Sequence, residues 1–177
     1  MKKHKEGKLI LNGPLIIDPW LHGRIRPFIG IGRGASLRIN GEFSIGDDVK
    51  INLFPGAKFV LGGRNIESAS GITGRSIVLV HSSLEIGQDV LIAWDTFITD
   101  SDWHRIEGRN HVENTKIGNH VWIATSSRIL KGVHIGDNSI VACGSTVLRG
   151  DYPPNSLIAG TPATVVESGI RNWHREI

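Results

Sequence analysis

An aliphatic residue recurs at every sixth position over much of the chain. Downstream of residue 116 the series is Ile117, Ile123, Ile129, Ile135, Val141 and Val147. Upstream the same spacing runs through Val80, Ile86, Ile92 and Ile98. A period of six matches neither the 3.6 residues of a helical turn nor the two-residue alternation of a simple hairpin strand. The pattern predicts a short strand followed by a turn, repeated many times.

The repeat predicts an all-β solenoid. If each six-residue unit forms one face of a triangular coil, its first aliphatic points inward and stacks on the matching aliphatic eighteen residues later. Residues that permit tight turns or positive φ follow the aliphatic positions: Gly46, Gly87, Gly118 and Gly136, then Asp47, Asn119 and Asp137. One unit cannot bury its own apolar side, so stability is expected to come from stacking.

The register is less regular before residue 80. The residues Val60, Ile66, Ile72 and Val78 keep the spacing but are out of phase with Ile39, Ile45 and Ile51. We expect a loop or bulge near Pro55 and Gly56 to absorb the shift. Residues 62–75, which are rich in Gly and Ser, are expected to form irregular coil edges.

The pattern also divides the chain. Residues 1–30 are predicted to be a lead-in that caps the first coil, and residues 31–166 are predicted to form the solenoid. Residues 167–177 are a C-terminal tail. The hexapeptide pattern is lost from Ala163 onward, where we expect a short closing strand and a helix.

The six-residue rhythm breaks over ITDSDWHRIEGRNHVENTKIG, residues 98–118. Counting on from Ile98 puts His104 where an aliphatic is expected, and the series resumes one residue late at Ile117. The segment 105–116 is mostly polar or charged, so it is predicted to leave the coil as an exposed loop. Loops on a rigid scaffold often carry binding and catalytic residues, and an imidazole accepts a proton near neutral pH.

Composition narrows the classes of protein. A chain of 177 residues suits one domain. The single cysteine, Cys143, excludes an internal disulfide and fits a reducing, cytoplasmic compartment. No apolar run approaches the length of a membrane span. The net charge is +3 and the basic residues are scattered, which argues against nucleic acid as partner and suits a small anionic ligand.

Taken together, these residues resemble the hexapeptide-repeat acyltransferases, in particular the sugar O- and N-acetyltransferases related to galactoside and maltose acetyltransferase. The resemblance rests on residues 117–166, which include VWI, DYPPNSL and AGTPA, and on TFITDSDWH at 96–104. It implies a left-handed parallel β-helix, a homotrimer with active sites between subunits, and acetyl-CoA as donor. The implied acceptor is a sugar or nucleotide sugar, the implied pathway is surface polysaccharide synthesis, and no metal is expected.

The resemblance places the catalytic histidine at His104, as the base that deprotonates the acceptor. Asp100 and Asp102 alternate just before it, and on an extended strand both would share a face. Two interpretations stay open for them: contacts to acceptor hydroxyls, or turn and edge residues. Trp103 is expected to pack on a sugar ring. For Trp94 and Trp122, packing between subunits or against the loop is at least as well supported.

The resemblance puts CoA on the outer surface of the C-terminal coils. The matching positions are Ala124, Thr125, Cys143, Gly144, Leu148, Arg149, Gly160, Thr161 and Pro162. Arg149 stands where relatives carry a basic residue near phosphate. Thr164 and Glu167 depart from that basic pattern, so Arg171, Arg175 or a neighbouring subunit are further candidates for phosphate contacts. Cys143 is expected to pack rather than act as a nucleophile.

Two alternatives come from other classes. A γ-type zinc carbonic anhydrase shares the fold but needs three histidine ligands, two of them close in sequence. The candidates His104, His111, His120 and His134 are all more widely separated than the H-x4-H pair that such enzymes show. A non-catalytic β-helix scaffold would not need the out-of-register histidine and its polar loop. The acceptor, and the choice of O- or N-transfer, stay open.

Overall fold

The computed structural model describes residues 1–17, 25–65 and 70–175, and these form a parallel β-helix with three sheets as its walls. The first sheet contains β1 (Lys2–Lys3), β4 (Phe28–Ile31), β7 (Lys50–Leu53), β10 (Ile77–Val80), β13 (Phe97–Thr99), β16 (Arg128–Ile129) and β19 (Thr146–Val147). The second contains β2 (Lys8–Leu11), β5 (Ser36–Ile39), β8 (Lys58–Gly63), β11 (Ser83–Gln88), β14 (Thr115–Ile117), β17 (Val133–Ile135) and β20 (Gly150–Tyr152). The third contains β3 (Leu15–Ile17), β6 (Phe43–Asp47), β9 (Gly71–Gly74), β12 (Leu91–Ile92), β15 (Trp122–Ile123), β18 (Ile140–Val141), β21 (Ser156–Gly160) and β22 (Ala163–Ser168).

The predicted eighteen-residue stack is confirmed in the C-terminal coils. Ile117 pairs with Ile135, and Ile123 pairs with Val141. Upstream the prediction is wrong, since Ile98 pairs with Val78 and not with Val80, the residue that the eighteen-residue spacing selects. The strands there are longer, and each points two side chains inward.

Longer strands also change which side chains reach the core. In β8, Phe59 and Leu61 are both fully buried, whereas Val60 between them is only partly buried. Alternate residues of a strand face opposite sides, so Val60 lies on the outer face. Its assignment to the inward aliphatic series was wrong.

The change of register lies later than predicted. Ile39 pairs with Leu61, whereas Ile45 pairs with Ile72, so the step from β6 to β9 is longer than the step from β5 to β8. The extra residues therefore enter between β8 and β9, within the Gly- and Ser-rich segment. Gly56 instead makes a tight corner at φ 80°, with its N–H donating to the carbonyl of Arg33. Ile66 lies outside the described residues.

The N-terminal segment is part of the solenoid. Strands β1, β2 and β3 pair in parallel with β4, β5 and β6. The segment expected as a lead-in therefore contains a coil of its own, and it covers the apolar end of the coil that follows.

Of the strand and the helix predicted for the C-terminal tail, the structure contains the strand. β22 closes the sheet antiparallel to β21, which confirms a closing strand. The expected helix is wrong for residues 169–175, which run along a corner of the coil. There the Trp173 ring stacks on His120 at a centroid distance of 4.2 Å, and its indole N–H donates to the His120 carbonyl. No helix occurs within residues 1–17, 25–65 and 70–175, so that part of the chain has none able to span a membrane.

The corners follow the predicted turn chemistry with a shift of one residue. Positive φ occurs at Asp48, His120 and Asn138 rather than at the residue before each. The preceding residue instead supplies a side-chain acceptor. The Gln88 N–H donates to Asn119 Oδ1 at 2.9 Å, and the Asn119 N–H donates to Asp137 Oδ1 at 2.8 Å.

Candidate active site

The break in the hexapeptide rhythm is an insertion between β13 and β14. Val78 pairs with Ile98 and Ile86 pairs with Ile117, so the step from β11 to β14 is longer than the step from β10 to β13. A short stem closes the insertion, because Ser101 and Val112 form an antiparallel bridge. Residues 102–111 therefore project from the coil as a loop.

The loop is shorter at its C-terminal end than predicted. Thr115 and Lys116 belong to β14. Thr115 is buried, and its hydroxyl contacts the carbonyls of Thr99 and Leu130 at 3.2 and 3.3 Å. A buried polar group is tolerated when it is hydrogen-bonded, which is why a threonine takes this core position.

His104 stands at the start of the loop with an exposed side chain. The residue before it, Trp103, has a left-handed backbone with φ 66°, and its N–H donates to Ser101 Oγ at 3.0 Å. This turn directs the chain away from the coil. The imidazole is thereby placed outside the hydrophobic core, in contact with solvent.

An aromatic cluster lies at the base of this loop. The Trp103 ring packs on Phe54 at 4.6 Å between centroids and meets the edge of His81 at 6.0 Å. The ring centroids of His111 and His81 lie 5.8 Å apart. Trp103 Nε1 is buried without a hydrogen-bond partner among the described residues.

Sequence reasoning missed Phe54 and His81. Each is the first residue after a strand of the first sheet, β7 and β10 respectively, and the loop leaves soon after β13 of the same sheet. Adjacent coils stack, so equivalent corner residues lie side by side. Aligning the strand ends coil by coil brings these side chains to the loop, but the strand ends of these coils are given only by the structure.

The two aspartates do not share a face. β13 ends at Thr99, so the strand alternation expected for them does not apply. Asp100 is fully buried, and its oxygens accept N–H groups from His81, Ser82 and Ser83 at 2.7, 2.6 and 2.8 Å. Successive backbone N–H groups make an anion-binding concavity. Both oxygens of the buried carboxylate thus accept hydrogen bonds from the turn, so Asp100 is not available to an acceptor hydroxyl.

Asp102 is partly exposed and belongs to a charged network that joins the loop to the next two coils. Its Oδ2 lies 2.8 Å from Lys131 Nζ. Glu113 lies 3.8 Å from the same Nζ, and its other oxygen lies 3.0 Å from Arg149 Nε. The side chains of Lys131 and Glu113 are only 16% and 17% exposed, whereas that of Arg149 is 73% exposed.

Most of the predicted CoA positions meet at one corner, between the third and first sheets. The turns that stack there contain residues 124–125, 143–144 and 160–162. The Gly144 N–H donates to the Thr125 carbonyl at 2.9 Å, and the Thr161 hydroxyl contacts the Gly144 carbonyl at 3.4 Å. We call this stack of turns the donor corner.

Leu148 and Arg149 lie at the following corner, beyond β19, and are both exposed. Tyr152 is close by, with its hydroxyl donating to the Leu148 carbonyl at 3.0 Å. Burial raises the pKa of Tyr152 above its ordinary value. The phenol therefore stays neutral and serves as a structural hydrogen-bond donor.

Comparison with known proteins decides the family. The model of the bacterial transferase hexapeptide family, with six repeats, matches residues 114–149. Galactoside O-acetyltransferase of Escherichia coli K12 is 32% identical over 153 residues, which cover 83% of this chain and 68% of that protein. The chain belongs to the hexapeptide-repeat acyltransferases. It is therefore an enzyme of the acetyltransferase class, rather than a carbonic anhydrase or a scaffold.

Two further similarities extend over most of the chain. A putative lipopolysaccharide biosynthesis O-acetyltransferase of Escherichia coli K12 is 26% identical over 77% of this chain and 74% of its own. The crystal structure of a polysialic acid-specific acetyltransferase matches with a TM-score of 0.67 at 21% identity, covering 99% of this chain and 88% of that one. The fold is thus the left-handed parallel β-helix of the hexapeptide-repeat acyltransferases.

Proposed function

We propose that this acetyltransferase moves an acetyl group from acetyl-CoA to a hydroxyl or amino group of a sugar or nucleotide sugar, with His104 as general base. One observation carries the proposal. An exposed imidazole stands at the start of a loop that leaves the coil beside an aromatic cluster, in a chain related to a galactoside acetyltransferase.

The reaction follows from the groups present. His104 takes the proton of the acceptor O–H or N–H as that atom attacks the acetyl carbonyl carbon. The tetrahedral intermediate collapses, the carbon–sulfur bond breaks, and CoA leaves as the thiolate. The proton held by the imidazole then passes to the thiolate or to water, which returns the base to its neutral state.

The acceptor side of the site is assigned to the aromatic cluster. An aromatic ring packs on the apolar face of a sugar, and Trp103 lies next to the proposed base. Asp102 is the remaining aspartate with exposed surface for an acceptor hydroxyl. The galactoside acetyltransferase supports a sugar acceptor, and the relative named for lipopolysaccharide biosynthesis supports a role in surface polysaccharide synthesis.

The donor side is assigned to the donor corner, with Arg149 as a candidate for a phosphate contact. Arg149 is mostly exposed and can turn toward an anion, which leaves Glu113 with Lys131 as its ion-pair partner. We also infer a homotrimer with active sites between subunits, which the resemblance to the family implies. A cytoplasmic location remains a prediction that rests on the single cysteine.

Cys143 makes the donor corner directly testable. It is exposed and is the single cysteine in the chain, so total thiol alkylation reports on this position alone. Saturating acetyl-CoA is expected to slow alkylation of Cys143 by iodoacetamide about 10-fold or more, because a ligand well above its Kd would cover the thiol in most molecules. Free acetate and adenosine at the same concentration serve as controls. An unchanged rate with acetyl-CoA bound would remove Cys143 from the donor site.

The acceptor class is tested by turnover. Acetyl-CoA consumption is followed by thioester absorbance, since the exposed Cys143 would itself consume a thiol reagent. The panel holds free galactosides, nucleotide sugars, oligosaccharides and simple amines. We expect turnover with a sugar and an acetylated product by mass spectrometry. Turnover confined to non-sugar amines would contradict the proposed acceptor class.

A further inference from the structure

Lys131 is a charged residue that the proposed reaction does not use, and it is largely buried. It follows β16 in the coil after the loop, and its side chain is only 16% exposed. Lysine is rarely buried unless its ammonium group is paired. The surroundings of this ammonium group therefore indicate what keeps it there.

The ammonium group contacts both sides of the projecting loop. Its Nζ lies 2.8 Å from Asp102 Oδ2 on the outgoing side and 3.8 Å from Glu113 Oε1 on the returning side. It also donates a hydrogen bond to the Asn110 carbonyl near the end of the loop. One cation thus joins two points of the loop to the returning side of its stem, which is otherwise closed by two backbone hydrogen bonds, from the Asp102 N–H and the Glu113 N–H.

The outgoing contact is the one that matters for chemistry. Asp102 precedes His104 by two residues, and Trp103 between them has a constrained left-handed backbone. Fixing the Asp102 carboxylate therefore fixes the direction in which His104 leaves the stem. Because productive geometry tolerates errors of less than about 1 Å, a catalytic residue on a loop needs such an anchor.

A hydrophobic contact could not replace this anchor. The three groups that Lys131 meets are two carboxylates and a backbone carbonyl, all hydrogen-bond acceptors. Without the cation, Asp102 would lose the ion pair described for it, and Glu113 would keep only its pair with Arg149. The expected response is that the loop moves outward into water.

We propose that Lys131 is a positioning residue that holds the loop, and through Asp102 the His104 base, in the catalytic arrangement. This inference rests on the proposed role of His104. Lys131 acts through the loop and does not touch the reacting atoms. The coil beneath it is held by its own strand pairing and core, so the effect is local.

The test compares Lys131→Met with Lys131→Arg and with a matched control, Lys50→Met. Lys50 pairs with Asp48 at 3.1 Å in the same way, but at an exposed position on β7. For Lys131→Met we expect kcat to fall about 10-fold or more, with the KM for acetyl-CoA within about twofold of wild type. Lys131→Arg should recover most of kcat, and Lys50→Met should match wild type.

Hydrogen exchange gives a readout independent of activity. Peptides spanning residues 100–113 should exchange faster in Lys131→Met, while those from β4 to β6, which lie away from the substitution, stay unchanged. Faster exchange with unchanged kcat would overturn the positioning role. Faster exchange in all peptides would mean that the whole protein is destabilised, and this would also overturn the positioning role in favour of a general structural role. If His104→Ala is fully active, the proposed role of His104 as the base is wrong. The exchange result still shows whether Lys131 holds the loop.

Discussion

Replacing His104 with alanine is expected to lower kcat about 100-fold or more, which is the effect of removing a general base. The side chain is exposed on the projecting loop and makes no core contact, so the variant should keep its fold and melting temperature. The KM for acetyl-CoA should change little, because the donor contacts are proposed to come from the donor corner and Arg149, whereas His104 acts on the acceptor. The measurement is steady-state turnover by thioester absorbance at saturating donor.

Three other histidine variants make this result specific. His81 and His111 border the same aromatic cluster, and each is an alternative base on chemical grounds. His174 is exposed in the tail and serves as a matched control. A full-activity His104→Ala variant together with an inactive His81→Ala or His111→Ala variant would move the base to that residue. Equal losses of kcat in all four variants would indicate loss of folded protein rather than loss of a catalytic group.

Replacing Asp100 with alanine is expected to destabilise the protein by about 3 kcal/mol. The substitution removes a fully buried carboxylate and leaves three backbone N–H groups, of His81, Ser82 and Ser83, without their acceptor. Lost hydrogen bonds to a charged group cost about 1.5–3 kcal/mol each, and water re-entering this corner recovers part of that. In a domain of this size the expected fall in melting temperature is about 6–12 °C.

The control for Asp100 is Asp151→Ala. The Asp151 side chain is 90% exposed and bonds only to the side chain of His134 among the contacts described for it. A surface change of this kind costs within about 0.5 kcal/mol. Thermal melts of both variants, followed by circular dichroism, separate the two cases. If Asp100→Ala and Asp151→Ala melt at the same temperature, then the turn does not depend on the Asp100 carboxylate. Its role as hydrogen-bond acceptor for the turn would then have to be reconsidered.

The repeat was readable from sequence because each coil obeys the same local rule. Ile117, Ile123 and Ile129 each point inward and stack on an equivalent aliphatic of the next coil. The rule weakens where strands lengthen. In β8 two residues, Phe59 and Leu61, face the core, and a period of six then selects the wrong neighbour.

The site was readable only in part. The position of His104 followed from the interruption of the rhythm, and the loop around it followed from its polarity. Phe54, His81 and Lys131 could not be found in the same way, because each comes from a different coil and lacks a local motif. The sequence also could not distinguish the roles of Asp100 and Asp102, because it did not show that β13 ends at Thr99.

By itself the sequence determined the solenoid, its inward aliphatic series in the C-terminal coils, and the place where a histidine-bearing loop leaves the coil. These are local properties, set by side-chain alternation and by the polarity of each segment. The tertiary structure alone decided that Asp100 is consumed by a turn, that aromatic rings from separate coils gather at the loop base, and that Lys131 joins both sides of the loop. The reason is physical: stacking brings together residues of different coils, and their distances depend on the lengths of all the strands and corners between them.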